Sequence, residues 1–177
     1  WVTPRGGDGS YCAIADNQSM YYFSIQNGKM MKATLDANGN KTDQIKLSDF
    51  KGKKLILYFY PKDDTPGCTS QACNLKDNYS ALIKKGFQVV GVSVDSVKSH
   101  KKFEEKYELP FPLISDEEKK IVDKYNLWGE KKFMGRTYMG TTRTTFLIDE
   151  TGVIRKIIAK PDTKNHTEEV LEAWASI

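Results

Sequence analysis

The chain has 177 residues, 39% of them hydrophobic, with 27 basic side chains against 23 acidic ones and a net charge of +4. That length suits one domain with a sizeable core, and no run of 18 apolar residues or hydrophobic signal core points to a membrane. The charges are spread along the chain and lysine runs such as Lys51-Gly52-Lys53-Lys54 are brief, so a solvated surface is expected rather than a nucleic-acid interface. Three cysteines leave one unpaired in any pairing, which argues against a disulfide-stapled scaffold and for thiol chemistry in a reducing, cytoplasmic setting. Because the first residue is Trp1, removal of an export signal stays open.

From the start of the chain, Ser10 to Ala15 around Cys12 reads as a short strand or loop, with Cys12 a spectator. Met20-Tyr21-Tyr22-Phe23-Ser24-Ile25 and Lys29-Met30-Met31-Lys32-Ala33 flank Asn27-Gly28, a combination that predicts a hairpin. Leu55-Ile56-Leu57-Tyr58-Phe59-Tyr60 is a continuous apolar and aromatic run and predicts a strand covered on both faces. Pro61, Pro66 and Gly67 punctuate the connection after this strand, and Leu75, Tyr79, Leu82 and Ile83 carry a helical period over roughly 71–85.

Cys68 therefore falls at the mouth of a helix directly after a buried strand. Free N–H groups and the helix dipole at that position favour an anion, so the spacing predicts a thiolate nucleophile. Cys73 lies five residues on. On an ideal helix that offset puts the two Cα atoms about 8.6 Å apart, beyond the roughly 7 Å that a disulfide tolerates. A disulfide between them requires the first turns to unwind.

Phe87 to Val94 predicts a second central strand, joined to the first by a crossover helix and so parallel to it. A helix over 96–107, a short edge strand at Pro112-Leu113-Ile114 and a helix over 117–125 come next. Thr145 to Ile148 and Val153 to Ile158 enclose Asp149-Glu150-Thr151-Gly152, a hairpin turn, and 167–175 closes the chain as a helix. Arg143 is placed inside an apolar, Thr-rich strand, where a buried charge needs an anionic partner; the alternative is a surface arginine on an edge strand. Thr65 is expected as a helix N-cap, and Cys73 has an alternative reading as a core cysteine. His100 and His166 fall in polar stretches and are expected to be exposed, and no metal spacing joins them to the cysteines.

The stretch Tyr58-Phe59-Tyr60-Pro61-Lys62-Asp63-Asp64-Thr65-Pro66-Gly67-Cys68-Thr69 with Cys73 resembles the peroxiredoxins, whose motif Pro-x-x-x-Thr-x-x-Cys is met by Pro61, Thr65 and Cys68. It is most similar to the bacterioferritin-comigratory, or peroxiredoxin Q, branch. Gly91 to Asp95, Leu109 to Asp116 and Thr142 to Asp149 resemble the same branch in order, so the likeness spans roughly residues 36–175. The resemblance implies a thioredoxin-like α/β fold, a central mixed sheet flanked by helices, within a single domain carrying an atypical N-terminal hairpin extension over 1–35. It also implies that Asp36 to Asn40 and Ile45 to Phe50 belong to the family's opening hairpin.

By that resemblance Cys68 is the peroxidatic cysteine, Thr65 hydrogen-bonds the peroxide and the sulfur, Arg143 holds the thiolate, Pro61 shields the pocket and Cys73 resolves the sulfenic acid. The implied activity is reduction of hydrogen peroxide and alkyl hydroperoxides without a bound cofactor, with thioredoxin or a similar dithiol as reductant and a monomer favoured over a large oligomer. Two other readings stay open at this point: a thiol-disulfide oxidoreductase on the same fold, disfavoured because the spacing is Cys-x-x-x-x-Cys and not Cys-x-x-Cys, and a non-catalytic holdase or interaction module.

Overall fold

The computed structural model describes residues 10–14, 20–26, 29–35, 41–42, 47–133 and 135–177. The chain divides into two units, Trp1–Lys46 and Leu47–Ile177. In the first, β1 (Ser10–Ile14), β2 (Met20–Gln26), β3 (Lys29–Leu35) and β4 (Lys41–Thr42) pair antiparallel in sequence order. The predicted hairpin is β2 with β3, in a register that sets Gln26 opposite Lys29; its Asn27-Gly28 turn lies outside the described residues. Cys12 is on β1. Of the second expected hairpin, 36–40 and 43–46 also lie outside them, and Leu47–Phe50 is a 3₁₀ turn instead of a strand. Ser48 and Asp49 are short polar residues that favour such turns over a ladder.

The second unit begins with β5 (Lys54–Phe59), α1 (Pro66–Asp77), α2 (Tyr79–Lys84), β6 (Phe87–Ser93) and α3 (Val97–Tyr107). It continues with β7 (Leu113–Ser115), α4 (Lys120–Lys124), β8 (Trp128–Phe133) and β9 (Arg136–Thr141). It ends with β10 (Thr144–Ile148), β11 (Ile154–Ile158) and α5 (His166–Ala175). The main sheet has the order β11-β10-β5-β6-β7, with β5, β6 and β7 parallel and β10 antiparallel to both its neighbours. This mixed sheet with flanking helices is the expected thioredoxin-like arrangement.

Three local details differ from the sequence reading. The single helix expected over 71–85 starts earlier and is broken in two. Pro66 fits the first helical position because its missing N–H has no partner there in any case. Asn78 ends α1 with a non-helical conformation and an Nδ2 that donates to the Asn74 carbonyl at 2.9 Å, competing with the ladder. The helix expected over 117–125 shrinks to α4, because the Asp116 carboxylate accepts from Ile121 N and Val122 N at 2.9 and 2.8 Å and fixes its start. The β8–β9 hairpin had no strand signal: Glu130, Lys131 and two glycines are poor strand formers.

Alternation along β5 divides the interior into two cores. Ile56, Tyr58 and Tyr60 pack with Ala72 and Leu75 of α1, Leu82, Phe103 and Val170. Leu55, Leu57 and Phe59 face the other way, with Val92, Phe146, Ile148 and Val122. A Cβ at Gly91 would stand 2.8 Å from the Tyr58 ring, so this glycine lets the tyrosine lie against β6. Buried on both faces, β5 delivers its carboxyl end, and the loop after it, to one fixed place. No helix among the described residues is long and apolar enough to cross a membrane.

Candidate active site

The loop from Tyr60 to Thr65 leaves the end of β5 and turns into α1. Thr65 occupies the N-cap position, and its carbonyl accepts the first helical bond from Thr69 N at 2.8 Å. Its side chain does not cap, contrary to the simple expectation; Oγ1 donates to the Lys62 carbonyl at 3.1 Å. Cys68 lies on the first turn of α1, at 1% exposure and with a free thiol. Its sulfur is thus fixed where backbone N–H groups lack helical partners. Pro61 is exposed at the edge of the loop.

Arg143 is not inside a strand. It stands in the break between β9 and β10, and pairing of Thr144 with Phe59 brings that break to the end of β5, beside the mouth of α1. Arg143 Nη2 donates to Cys68 Sγ at 3.2 Å, and Nη1 donates to Gln71 Oε1 at 2.6 Å. The partner this side chain finds here is the cysteine sulfur. Gly67 makes room for the contact, since a Cβ there would lie 3.3 Å from Nη2. The sulfur thus has a guanidinium donor on one side and the mouth of α1 on the other.

Both histidines are buried, at 4% and 0% exposure, which corrects the expectation that they face solvent. His100 Nδ1 lies 2.8 Å from Asp63 Oδ2, and the same carboxylate accepts from Tyr60 OH at 2.7 Å and Ser99 Oγ at 2.6 Å. Burial alone would lower the His100 pKa, but the hydrogen bond and charge of Asp63 outweigh it and hold the ring above its ordinary value. Burial likewise pushes Asp63 upward, and its bonds from His100, Ser99 and Tyr60 reverse the direction and keep it below the usual carboxylate range. His166 Nε2 lies 3.1 Å from Thr145 Oγ1. Burial depresses its pKa, and the Arg143 charge adds to that against the opposing Glu169. A signal for both was present: His100, Phe103 and Tyr107 share one face of α3, and His166 and Val170 one face of α5.

Cys73 is half-buried on the same unbroken helix as Cys68, and both thiols are free. Burial, then the Asp77 charge, push the Cys73 thiol up. The helix carrying both cysteines is stitched to the start of α5. Asn74 Nδ2 donates to the Lys164 carbonyl at 2.7 Å, Asn74 Oδ1 accepts from Thr167 N at 2.8 Å, and Ser70 Oγ donates to the Thr163 carbonyl at 3.1 Å. Gln71, through its bond to Arg143, belongs to the site although no motif marks it.

Comparison with known proteins agrees with this arrangement. The AhpC/TSA family matches residues 27–157. Peroxiredoxin Bcp of Bacillus subtilis is 44% identical over 138 residues, 78% of this chain and 88% of that protein. Peroxiredoxin Bcp of Escherichia coli is 46% identical over 129 residues, 73% of this chain and 83% of that one. The solved structure of the bacterioferritin comigratory protein of Xanthomonas campestris, described for alkyl peroxide reduction, matches with a TM-score of 0.69 at 30% identity, covering 87% of this chain and 88% of its own. The chain belongs to the AhpC/TSA family, among its peroxiredoxins.

Proposed function

We propose that this peroxiredoxin, a thiol-dependent peroxidase, reduces hydrogen peroxide and alkyl hydroperoxides through Cys68, with Arg143, Thr65 and Pro61 around it and Cys73 as resolving residue. The Cys68 thiolate attacks the distal peroxide oxygen; the S–O bond forms as the O–O bond breaks, and the departing alkoxide or hydroxide takes up a proton and leaves as alcohol or water. Arg143 and the helix-mouth N–H groups stabilise the charge that moves from sulfur to oxygen. Thr65 accepts a hydrogen bond from the peroxide hydroxyl, and Pro61 shields the sulfenic acid from bulk water.

Resolution comes when the Cys73 sulfur displaces hydroxide from the Cys68 sulfenic acid, giving a disulfide and water. An external dithiol, which we take to be thioredoxin, restores both thiols, and no bound cofactor takes part. We place the activity in the cytoplasm, on a monomer, and treat 1–177 as one functional domain because the family match begins at residue 27, inside the first unit, and runs well into the second.

The observation that carries this reading is the 3.2 Å contact from Arg143 Nη2 to Cys68 Sγ at the start of α1. It is tested by following peroxide-dependent NADPH oxidation with thioredoxin and thioredoxin reductase. Turnover with the wild-type chain and none with Cys68→Ser is expected; equal turnover by the two would refute it.

A further inference from the structure

Thr65 does not orient its own hydroxyl. Oγ1 donates to the Lys62 carbonyl at 3.1 Å, and that carbonyl belongs to the peptide unit whose N–H is Asp63 N. Asp63 N in turn donates to Asp95 Oδ2 at 2.9 Å. The peptide between Lys62 and Asp63 is trans and planar, so its C=O and N–H point to opposite sides, and anchoring one sets the direction of the other.

Asp95 is itself held firmly. It comes after β6, and its Oδ2 accepts from Ser93 Oγ at 2.7 Å, Ser93 being fully buried. The Asp95 carbonyl accepts from Ser115 Oγ of β7 at 2.6 Å, and Asp95 N donates back to Ser93 Oγ at 3.1 Å. Ser93 at the end of β6 thus fixes one carboxylate oxygen, Ser115 of β7 holds the Asp95 backbone, and one peptide plane carries that orientation to Thr65. With its proton committed to Lys62, the Thr65 oxygen is left as an acceptor, which is what a peroxide O–H requires.

We infer that Asp95 is a positioning residue for peroxide reduction, acting through the Lys62–Asp63 peptide to present the Thr65 oxygen to the substrate. The inference rests on the proposed role of Thr65 as acceptor from the peroxide. Asp95 touches neither the sulfur nor the peroxide, so its loss should slow the reaction with peroxides while sparing the general reactivity of the thiol. Displacing an aligned group by a fraction of an ångström to an ångström costs roughly tenfold to a hundredfold in rate.

The test is a double-mutant cycle on the reduced protein, measuring the second-order rate of Cys68 oxidation by hydrogen peroxide and, in parallel, its alkylation by iodoacetamide. Asp95→Ala should lower the peroxide rate by roughly tenfold or more and leave alkylation within about twofold. Asp95→Asn, which keeps an acceptor oxygen, should recover most of the rate. In a Thr65→Val background the effect of Asp95→Ala should vanish, because the group it orients is gone. If Asp95→Ala does not fold, Ser93→Ala, which frees the anchored oxygen, runs through the same cycle with the same criteria.

Equal losses in the two backgrounds, or a parallel fall in alkylation, would overturn the inference and leave the Thr65 role standing. A Thr65→Val protein with an undiminished peroxide rate would overturn both.

Discussion

Gln71 and Arg143 are joined by a short hydrogen bond: Arg143 Nη1 donates to Gln71 Oε1 at 2.6 Å, while Nη2 of the same guanidinium reaches Cys68 Sγ. Gln71 is fully buried one turn of α1 after the cysteine. It holds the planar guanidinium so that the second fork points at sulfur, a geometry lysine cannot reproduce.

Gln71→Leu keeps the volume and removes the acceptor. Gln71 Nε2 makes no hydrogen bond, so nothing else of consequence is lost with it. The peroxide rate constant should fall roughly tenfold as Arg143 loses its alignment, and stopped-flow oxidation of the reduced protein measures it. An unchanged rate would mean that Arg143 is held by other contacts.

Gly67→Ala separates stability from activity. Alanine in the first turn of a helix is favoured over glycine by about 0.5 to 1 kcal/mol, so the melting temperature should hold or rise. The new Cβ, 3.3 Å from Arg143 Nη2, must push the guanidinium aside, and turnover should drop severalfold. A variant both more stable and fully active would show that the cation tolerates displacement.

The Asp63–His100 pair makes stability depend on pH in a defined direction. His100 is raised in the fold, so its contribution is complete below about pH 6.5 and is lost as pH rises through the elevated folded value. Asp63 is lowered, so its contribution is complete above about pH 4 and is lost as pH falls through the depressed value. Breaking one side of a buried pair costs about 3 kcal/mol. Urea unfolding of His100→Gln should therefore show its largest deficit against wild type between about pH 4 and 6.5, shrinking toward pH 9. A deficit independent of pH would show that the pair is not charged.

The place of Cys68 on the first turn of a helix was legible because its signals are local. Pro61, Thr65 and Cys68 lie within eight consecutive positions, and the apolar run before them could only be a buried strand. Arg143 was legible as a charge in need of a partner, but its partner was not, since that depends on the pairing of Thr144 with Phe59 across the sheet. The buried histidines were misread because Ser99, Lys101 and Lys102 make the local sequence polar; only the helical spacing of His100 with Phe103 marks the inward face. Asp95 and Gln71 act through contacts of long sequence separation, 32 and 72 residues, that no pattern in one chain records.

Asn74 ties the fate of Cys73 to the neighbouring helix. The proposed resolution by Cys73 requires the turn between the cysteines to open, and the bonds from Asn74 to Lys164 and Thr167 resist that opening. Asn74→Ala should destabilise the reduced protein by about 1 kcal/mol, the worth of a helix cap, and speed disulfide formation after oxidation. Cys73→Ser should instead accumulate a sulfenic acid on Cys68 that a dimedone probe captures and excess peroxide drives to sulfinic acid. Faster overoxidation of Asn74→Ala than of wild type would run against this coupling.

The reaction of Cys68 with peroxide and its resolution by Cys73 are tested most directly by treating the fully reduced protein with one equivalent of hydrogen peroxide and mapping its peptides without reduction. A disulfide joining Cys68 to Cys73, with neither thiol free, is the expected result. Cys68 recovered unmodified, or joined to Cys12 or to Cys68 of another chain, would contradict it.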